Sequence, residues 1–288
     1  MSLPKQLSAW WKRRKAVRRA GLTVAANLAR TELLLAQARF DALRADAVPR
    51  NPLLAFGAKV FSQNDEDGLI EEICRRMGLG PSSAFVELGV GDGAENNTLN
   101  LLVQGWRGVW LGGVALASDR LSEQLRFRRC WIDRDNVVAL VRDALAAAGV
   151  TQPDVVSLDL DGNDWHLAEA LLDAALRPAL FVVEYNATFR PGTRWVMPYD
   201  AAHQWDGSAY FGASLAAFQG LFDAHGYRLV ACNLTGANAF FVRREFDLAF
   251  ADVPADWRAL YMPPNYLPYP GGGHPHGPRF IAALLAGG

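Results

Sequence analysis

Two stretches place oxygen-bearing side chains at the ends of apolar runs. Residues 154–164, DVVSLDLDGND, finish with Asp159, Asp161, Asn163 and Asp164, and residues 180–187, LFVVEYNA, finish with Glu184 and Asn186. Alternation along a strand puts Asp159 and Asp161 on one face near its carboxyl end, and Glu184 and Asn186 on one face of the next. Neighbouring strand ends would bring this set together, and hard divalent cations such as Mg2+ take carboxylate and amide oxygens. A metal there would lower the pKa of an acceptor hydroxyl and orient it. Without metal, Asp161 or a histidine would take the proton as general base, with Glu184 beside it. Crowded carboxylates raise one another's pKa unless a cation or proton intervenes. A plainer reading has Asn163 or Asp164 capping the helix that begins at Trp165. It leaves Asp159 and Asp161 unexplained. DGND also resembles a fragment of a calcium loop, but the twelve-residue spacing and its closing Glu are missing.

A third stretch, FVELGVGDGAENNT (85–98), runs from an apolar segment through Glu87 to Gly89, Gly91 and Gly93. Gly89-x-Gly91-x-x-Ala94 satisfies the dinucleotide pattern, so an NAD-linked oxidoreductase has to be weighed. Glu87 counts against it. An acid two residues before the first glycine adds negative charge where a pyrophosphate would sit. It suits a cationic ligand such as S-adenosylmethionine, which carries a sulfonium and an ammonium. The plain alternative is a glycine-rich turn with Glu87 in a local salt bridge.

The loop YDAAHQWDGSAYFG (199–212) mixes aromatic and acidic residues, as a polar acceptor such as a sugar requires. Tyr199, Asp200, Trp205, Asp206 and Tyr210 are its candidate binding residues, and His203 is a reserve base. Packing of the loop on the core would equally explain the aromatic ones, Trp205 above all. His274 and His276 stand in a Pro/Gly-rich loop and read as solvated; His166 and His225 read as surface residues.

These residues need a scaffold, and the periodicity supplies one. Helices are predicted over Glu66–Met77, over about 119–127 behind a Ser118 cap, over 134–149 behind Asp133, over 165–176 and over 214–225. Strands are predicted over 84–90, 108–111, 154–160, 180–185, 227–232 and 239–242, the last two joined by the antiparallel-type turn NLTGAN. Alternation of strands and helices means an α/β fold: a Rossmann-like, doubly wound, mostly parallel sheet with an antiparallel edge. Its ligands bind beyond the carboxyl ends of the strands.

The chain has 288 residues, 51% hydrophobic and 20% charged, enough to bury a sizeable core. A net charge of −1 gives no field that would attract nucleic acid. Cys74, Cys130 and Cys232 form neither a CxxC motif nor a disulfide framework, which points to a reducing, cytoplasmic setting. No apolar stretch would span a bilayer. Residues 9–19, AWWKRRKAVRR, are dense in basic side chains, and no acid precedes Glu32. Residues 1–50 therefore read as a basic, amphipathic helical arm. It would pack on the body or on a second subunit, or sit peripherally on the inner membrane face. Residues 51–250 form the main domain, and 251–288 a Pro/Gly/His-rich loop and tail.

The stretches SQNDEDGLIEEI (62–73), FVELGVGDGAENNT (85–98), GWRGVW (105–110), VSLDLDGND (156–164), FVVEYNA (181–187), WDGSAYFGASL (205–215), GYRLVACN (226–233) and GANAFFVR (236–243) occur in this order. Together they resemble the FkbM-like branch of class I S-adenosylmethionine-dependent methyltransferases. The resemblance implies a seven-stranded sheet and methyl transfer, with O-methylation of a saccharide or related hydroxylated metabolite as the expected activity. It implies that Glu87, Gly89, Gly91 and Gly93 line the methionine end of the cofactor, with Gln63 and Asp67 approaching from the preceding helix. Many such enzymes bind the ribose hydroxyls through an acid at the end of the second strand. Here Gly112 and Gly113 stand there, so Asp92, Asp119 or a backbone group would take that part. Otherwise the chain is a degenerate, non-catalytic binding or scaffold protein held at a membrane by its arm.

Overall fold

The computed structural model describes residues 3–266 and 278–287, without most side chains before Thr23. His274, His276 and the side chains of Trp10 and Trp11 lie outside the described residues.

Seven strands form one sheet in the order β3-β2-β1-β4-β5-β7-β6. They are β1 (Ala84–Leu88), β2 (Arg107–Gly112), β3 (Leu125–Arg129), β4 (Val155–Leu158), β5 (Leu180–Glu184), β6 (Tyr227–Cys232) and β7 (Asn238–Arg243). The pairings from β3 through β5 are parallel, and β7 runs antiparallel to both β5 and β6. AFVEL, VVSL and LFVVE are near-continuous apolar runs because both faces of the sheet are covered. The covering helices include α2 (Glu66–Arg76), the short α3 (Leu99–Val103), α4 (Val137–Ala147), α5 (Asp164–Asp173) and α6 (Leu215–Ala224). Since β1, β4 and β5 are adjacent, the acids at their ends meet at one edge.

The predicted helix over 119–127 is absent. Ser118 instead closes a local turn, its Oγ accepting from Arg120 N at 3.1 Å. The segment LRFRR then enters β3 at the sheet edge, with Leu125 buried and Arg126, Arg128 and Arg129 exposed. The connection 113–124 thus contains no crossover helix. Helix α7 (Pro278–Leu285) packs there: Ile281 and Leu285 are fully buried, and Ser122 N donates to the Leu285 carbonyl at 2.7 Å.

The N-terminal arm is one uninterrupted helix, α1 (Leu3–Ala47). Its last turns join the body, where Phe40 and Ala47 are buried and Arg44 Nη2 donates to the Gly57 carbonyl at 2.7 Å. Val24, Leu28 and Leu33 to Leu35 are exposed. Among the described residues no helix is long and apolar enough to cross a membrane.

Candidate active site

The three glycines after β1 do three different things. Gly89 has φ +94, and a Cβ there would lie 1.6 Å from the Asp159 carbonyl oxygen. Its bare backbone lets the end of β4 close against the end of β1. Gly93, at φ +86, is walled by Trp110, Leu116 and Leu285. Gly91, at φ +53, has nothing within 4 Å of where a Cβ would be. Of the three, it alone leaves room for a ligand against the main chain. Gly112 is explained by packing, since its Cβ would meet Val90 Cγ2 at 2.9 Å. A side chain at Gly112 would push the glycine turn off β2, whereas one at Gly113 would meet nothing within 4 Å. Asp92 is exposed and closes its own turn, accepting from Ala94 N at 3.0 Å.

Glu87 is buried and fully engaged. Oε1 accepts from Asn97 N at 2.9 Å; Oε2 accepts from Thr98 N at 3.1 Å and from the Thr98 hydroxyl at 2.5 Å. Thr98 Oγ1 in turn accepts from Trp110 Nε1 at 2.8 Å. Burial pushes the carboxyl upward and these donors pull it back. Glu87 therefore reaches the ligand region through its field and not as a free ligand. The backbone N–H groups it engages are those of Asn97 and Thr98, the two residues just before α3.

Asp159, Asp161 and Glu184 each offer an oxygen, and these oxygens lie within 4.8 Å of one another. Asp161 is held at φ +56, a left-handed conformation that is rare outside glycine and recurs at functional sites. Burial, then the neighbouring carboxylates, push Asp159 and Glu184 well above the usual carboxylate range. The two are close enough to share a proton. Burial also raises Asp161, and the nearby His203 offsets part of this. The capping expectation does not hold: α5 begins at Asp164, and Asn163 before it makes no side-chain cap hydrogen bond. Asp164 instead holds the loop after β4, Oδ1 accepting from Leu160 N at 2.8 Å and Oδ2 from Gly162 N at 2.9 Å. Burial brings it to about 6.

Asn186 drops out of the oxygen set. It is fully buried, and its amide donates to the carbonyls of Ala209 and Phe211 at 2.9 and 3.0 Å while its oxygen accepts from Thr188 N. It ties down the 199–212 loop instead. Asn163 does the same from the other side, exchanging bonds with the backbone of Asp200. His203 is brought to the acids, its Nε2 3.2 Å from the Asp161 carbonyl oxygen. A Cβ at Gly162 would lie 2.2 Å from the His203 ring, so that glycine makes the approach feasible.

The other loop candidates divide. Trp205 and Tyr210 are half exposed. Trp205 Nε1 is held by the Ser208 carbonyl, and Asp206 Oδ1 accepts from Ser208 N. Asp200 Oδ1 accepts from Ala202 N. Tyr199 packs away from them: its hydroxyl accepts from Arg134 N at 3.1 Å, and the Arg134 guanidinium lies 4.5 Å from the ring centre. Trp131 escapes the sequence reading. It is half exposed just after β3, and its indole N–H donates to the Ala201 carbonyl at 2.9 Å.

At the start of α2, Gln63 is exposed. Asp67 is buried, and its Oδ2 accepts from the N–H groups of Val60, Phe61 and Ser62 and from the Ser62 hydroxyl. It shapes the loop before the helix. The neighbouring Glu66, which the sequence reading passed over, is fully buried at the carboxyl end of the sheet. Its Oε1 accepts from the amides of Asn233 and Asn238 at 2.7 and 3.0 Å. Asp65 is buried beside it and is pushed up to about 7 by burial and by Glu66.

No protein-family model and no curated protein matches the chain. Solved structures overlap with parts of it. CalO1, a methyltransferase in calicheamicin biosynthesis in its S-adenosylhomocysteine-bound form, aligns at TM-score 0.35 and 19% identity, over 60% of this chain and 53% of its own. The chain thus spans about half the length of that protein. The Burkholderia thailandensis 1,6-didemethyltoxoflavin-N1-methyltransferase aligns at 0.39 and 16%, over 71% and 88%. A putative hemolysin from Lactococcus lactis aligns at 0.37 and 11%, over 60% and 85%. Overlaps this low carry no argument about activity, which rests on the site.

Proposed function

We propose that the protein transfers the methyl group of S-adenosylmethionine to a hydroxyl of a saccharide or related hydroxylated metabolite, with a divalent cation at Asp159, Asp161 and Glu184. The observation that carries this is the placement of that acidic trio directly beside the turn where Gly91 leaves the main chain bare. The residues suit cationic ligands. Acceptor oxygens dominate among them. The cofactor would bring an electrophilic methyl group, and the cation would act as a Lewis acid on the acceptor oxygen. The chain's own residues orient and exclude. Gly91 admits the cofactor, Glu184 and Asp159 fix the acceptor oxygen, and Asp161 receives its proton, with His203 as the reserve base. The loop 199–212, pinned by Asn163 and Asn186, keeps water out, and Trp205 and Tyr210 give the acceptor an aromatic rim. The NAD reading loses ground because Glu87 and the acidic trio put negative charge where a pyrophosphate would sit. We place the protein in the cytoplasm, where its three unpaired cysteines would stay reduced, with α1 available for a second subunit or a membrane surface.

Calorimetric titration with S-adenosylhomocysteine, with and without Mg2+, tests the proposal. Micromolar binding that Mg2+ leaves in place, with no response to NADH, is the expected result. Binding of NADH alone would reverse it. Binding of neither, with retained liposome binding, would favour the scaffold reading.

A further inference from the structure

A strap formed by residues 261–266 crosses the carboxyl end of β5 and the start of β7. Its course is fixed by three hydrogen bonds. The Tyr185 hydroxyl donates to the Met262 carbonyl at 2.6 Å, the Tyr261 hydroxyl to the Ala187 carbonyl at 2.7 Å, and Asn265 N to the Thr235 carbonyl at 2.8 Å. Gly236 lets the strap close, since a Cβ there would lie 2.5 Å from the Pro263 carbonyl oxygen.

The strap delivers Asn265, only 6% exposed, with neither Oδ1 nor Nδ2 partnered among the described residues. Two more buried acceptors share that condition: Asn238 Oδ1 at the start of β7 and Glu184 Oε2 at the end of β5. Asn238 and Glu184 are directly paired across the two strands. The Asn238 amide donates to Glu66 Oε1, which fixes its orientation and turns Oδ1 elsewhere. The next strap residue, Tyr266, lies near enough to Glu184 to feel its charge. Buried polar atoms are nearly always hydrogen-bonded, so a group of orphans from three elements points to a ligand that completes them.

Its chemistry follows from the inventory. A metal ion or an ammonium group would satisfy the three acceptor oxygens and strand the Asn265 N–H2. A hydroxyl both donates and accepts, and neighbouring hydroxyls on one ring answer the whole set. We propose that Glu184, Asn238 and Asn265 form the subsite that recognises ring hydroxyls of the acceptor, with the strap as its wall. This rests on the reading of the site as one that handles a hydroxylated acceptor.

The test uses the full chain with S-adenosylhomocysteine present and the methyl α-glycosides of glucose, galactose, mannose and rhamnose as probes, read by saturation-transfer NMR. At least one glycoside should show transfer, and Asn265→Leu should weaken it by about tenfold or more, the loss of one well-made hydrogen bond. The same variant should keep its S-adenosylhomocysteine affinity. Its unliganded Tm should not fall, because an amide without partners has been replaced by an apolar group. Asn265→Ala serves as a second variant with the same expectations. Transfer from none of the four glycosides, or transfer undiminished in both variants, overturns the subsite. So does joint loss of glycoside binding, cofactor binding and stability in both variants, which would make Asn265 structural. Glycoside binding without S-adenosylhomocysteine binding would keep the subsite and sink the methyl-donor reading.

Discussion

The acidic trio should make the ligand-free protein sensitive to alkali, and Glu184→Gln should remove much of that sensitivity. Two unit charges 4.8 Å apart repel by about 3–4 kcal/mol at an effective dielectric constant of about 20. Asp161 is exposed, so water screens its share, and the part-buried Asp159–Glu184 pair dominates. Both carboxyls titrate above their unfolded values, so the folded state holds more protons than the unfolded chain. Stability is therefore greatest near the unfolded carboxylate pKa of about 4 and falls as pH rises. Asp164, at about 6, and Asp65, at about 7, extend the fall through neutrality. Glutamine has the same shape, and its amide can donate to Asp159. Relief of about 2–3 kcal/mol would raise Tm by roughly 5–10 °C in a chain of this size. The assay is thermal unfolding at pH 5.5 and pH 8, with and without millimolar Mg2+. The parent should melt lower at pH 8 and be rescued there by Mg2+; the variant should melt higher at pH 8 and ignore Mg2+. A variant less stable than the parent at pH 8, or a parent that gains stability between the two pH values, would refute the argument.

Three further outcomes are expected. Gly91→Asn should fold with a Tm within a few degrees of the parent, because asparagine tolerates positive φ, yet lose about tenfold or more in S-adenosylhomocysteine affinity; Gly89→Ala should fail to fold, since its methyl overlaps the Asp159 carbonyl. Full affinity in the first, or a well-folded second, would show the turn to be misread. Asp161→Gly keeps the left-handed backbone at no steric cost, so it isolates the carboxylate: cofactor affinity should survive while turnover and the Mg2+ response disappear, and unchanged turnover would remove Asp161 from the chemistry.

Much of the fold was legible because β1, β4 and β5 are fully buried strands whose apolar runs are unambiguous. The acids ending them were legible for the same reason, since adjacent parallel strands align their carboxyl ends. β3 was not. SDRLSEQL has helical character, and the alternation in LRFRR is too short to outweigh it until the edge of β2 supplies a partner. Asn186 was misassigned because spacing gives the face of a side chain but not its competitors; two loop carbonyls claimed its amide. Glu66, Asn238 and Asn265 carried no local signal. Their burial comes from the meeting of α2, the β6–β7 turn and the strap, which are far apart in the chain. Glu87 stood out in the sequence, but the pattern could not reveal that Asn97 and Thr98, just before α3, would supply its donors.

The packing of α7 over the connection between β2 and β3 bears on the order of assembly. The first half of the sheet can pair its strands early, yet one flank keeps apolar surface in contact with solvent until the distal segment has left the ribosome. A nascent chain paused before residue 278 would be a natural client for chaperones, and the floor under Gly93 would be the last part of the cofactor cleft to set.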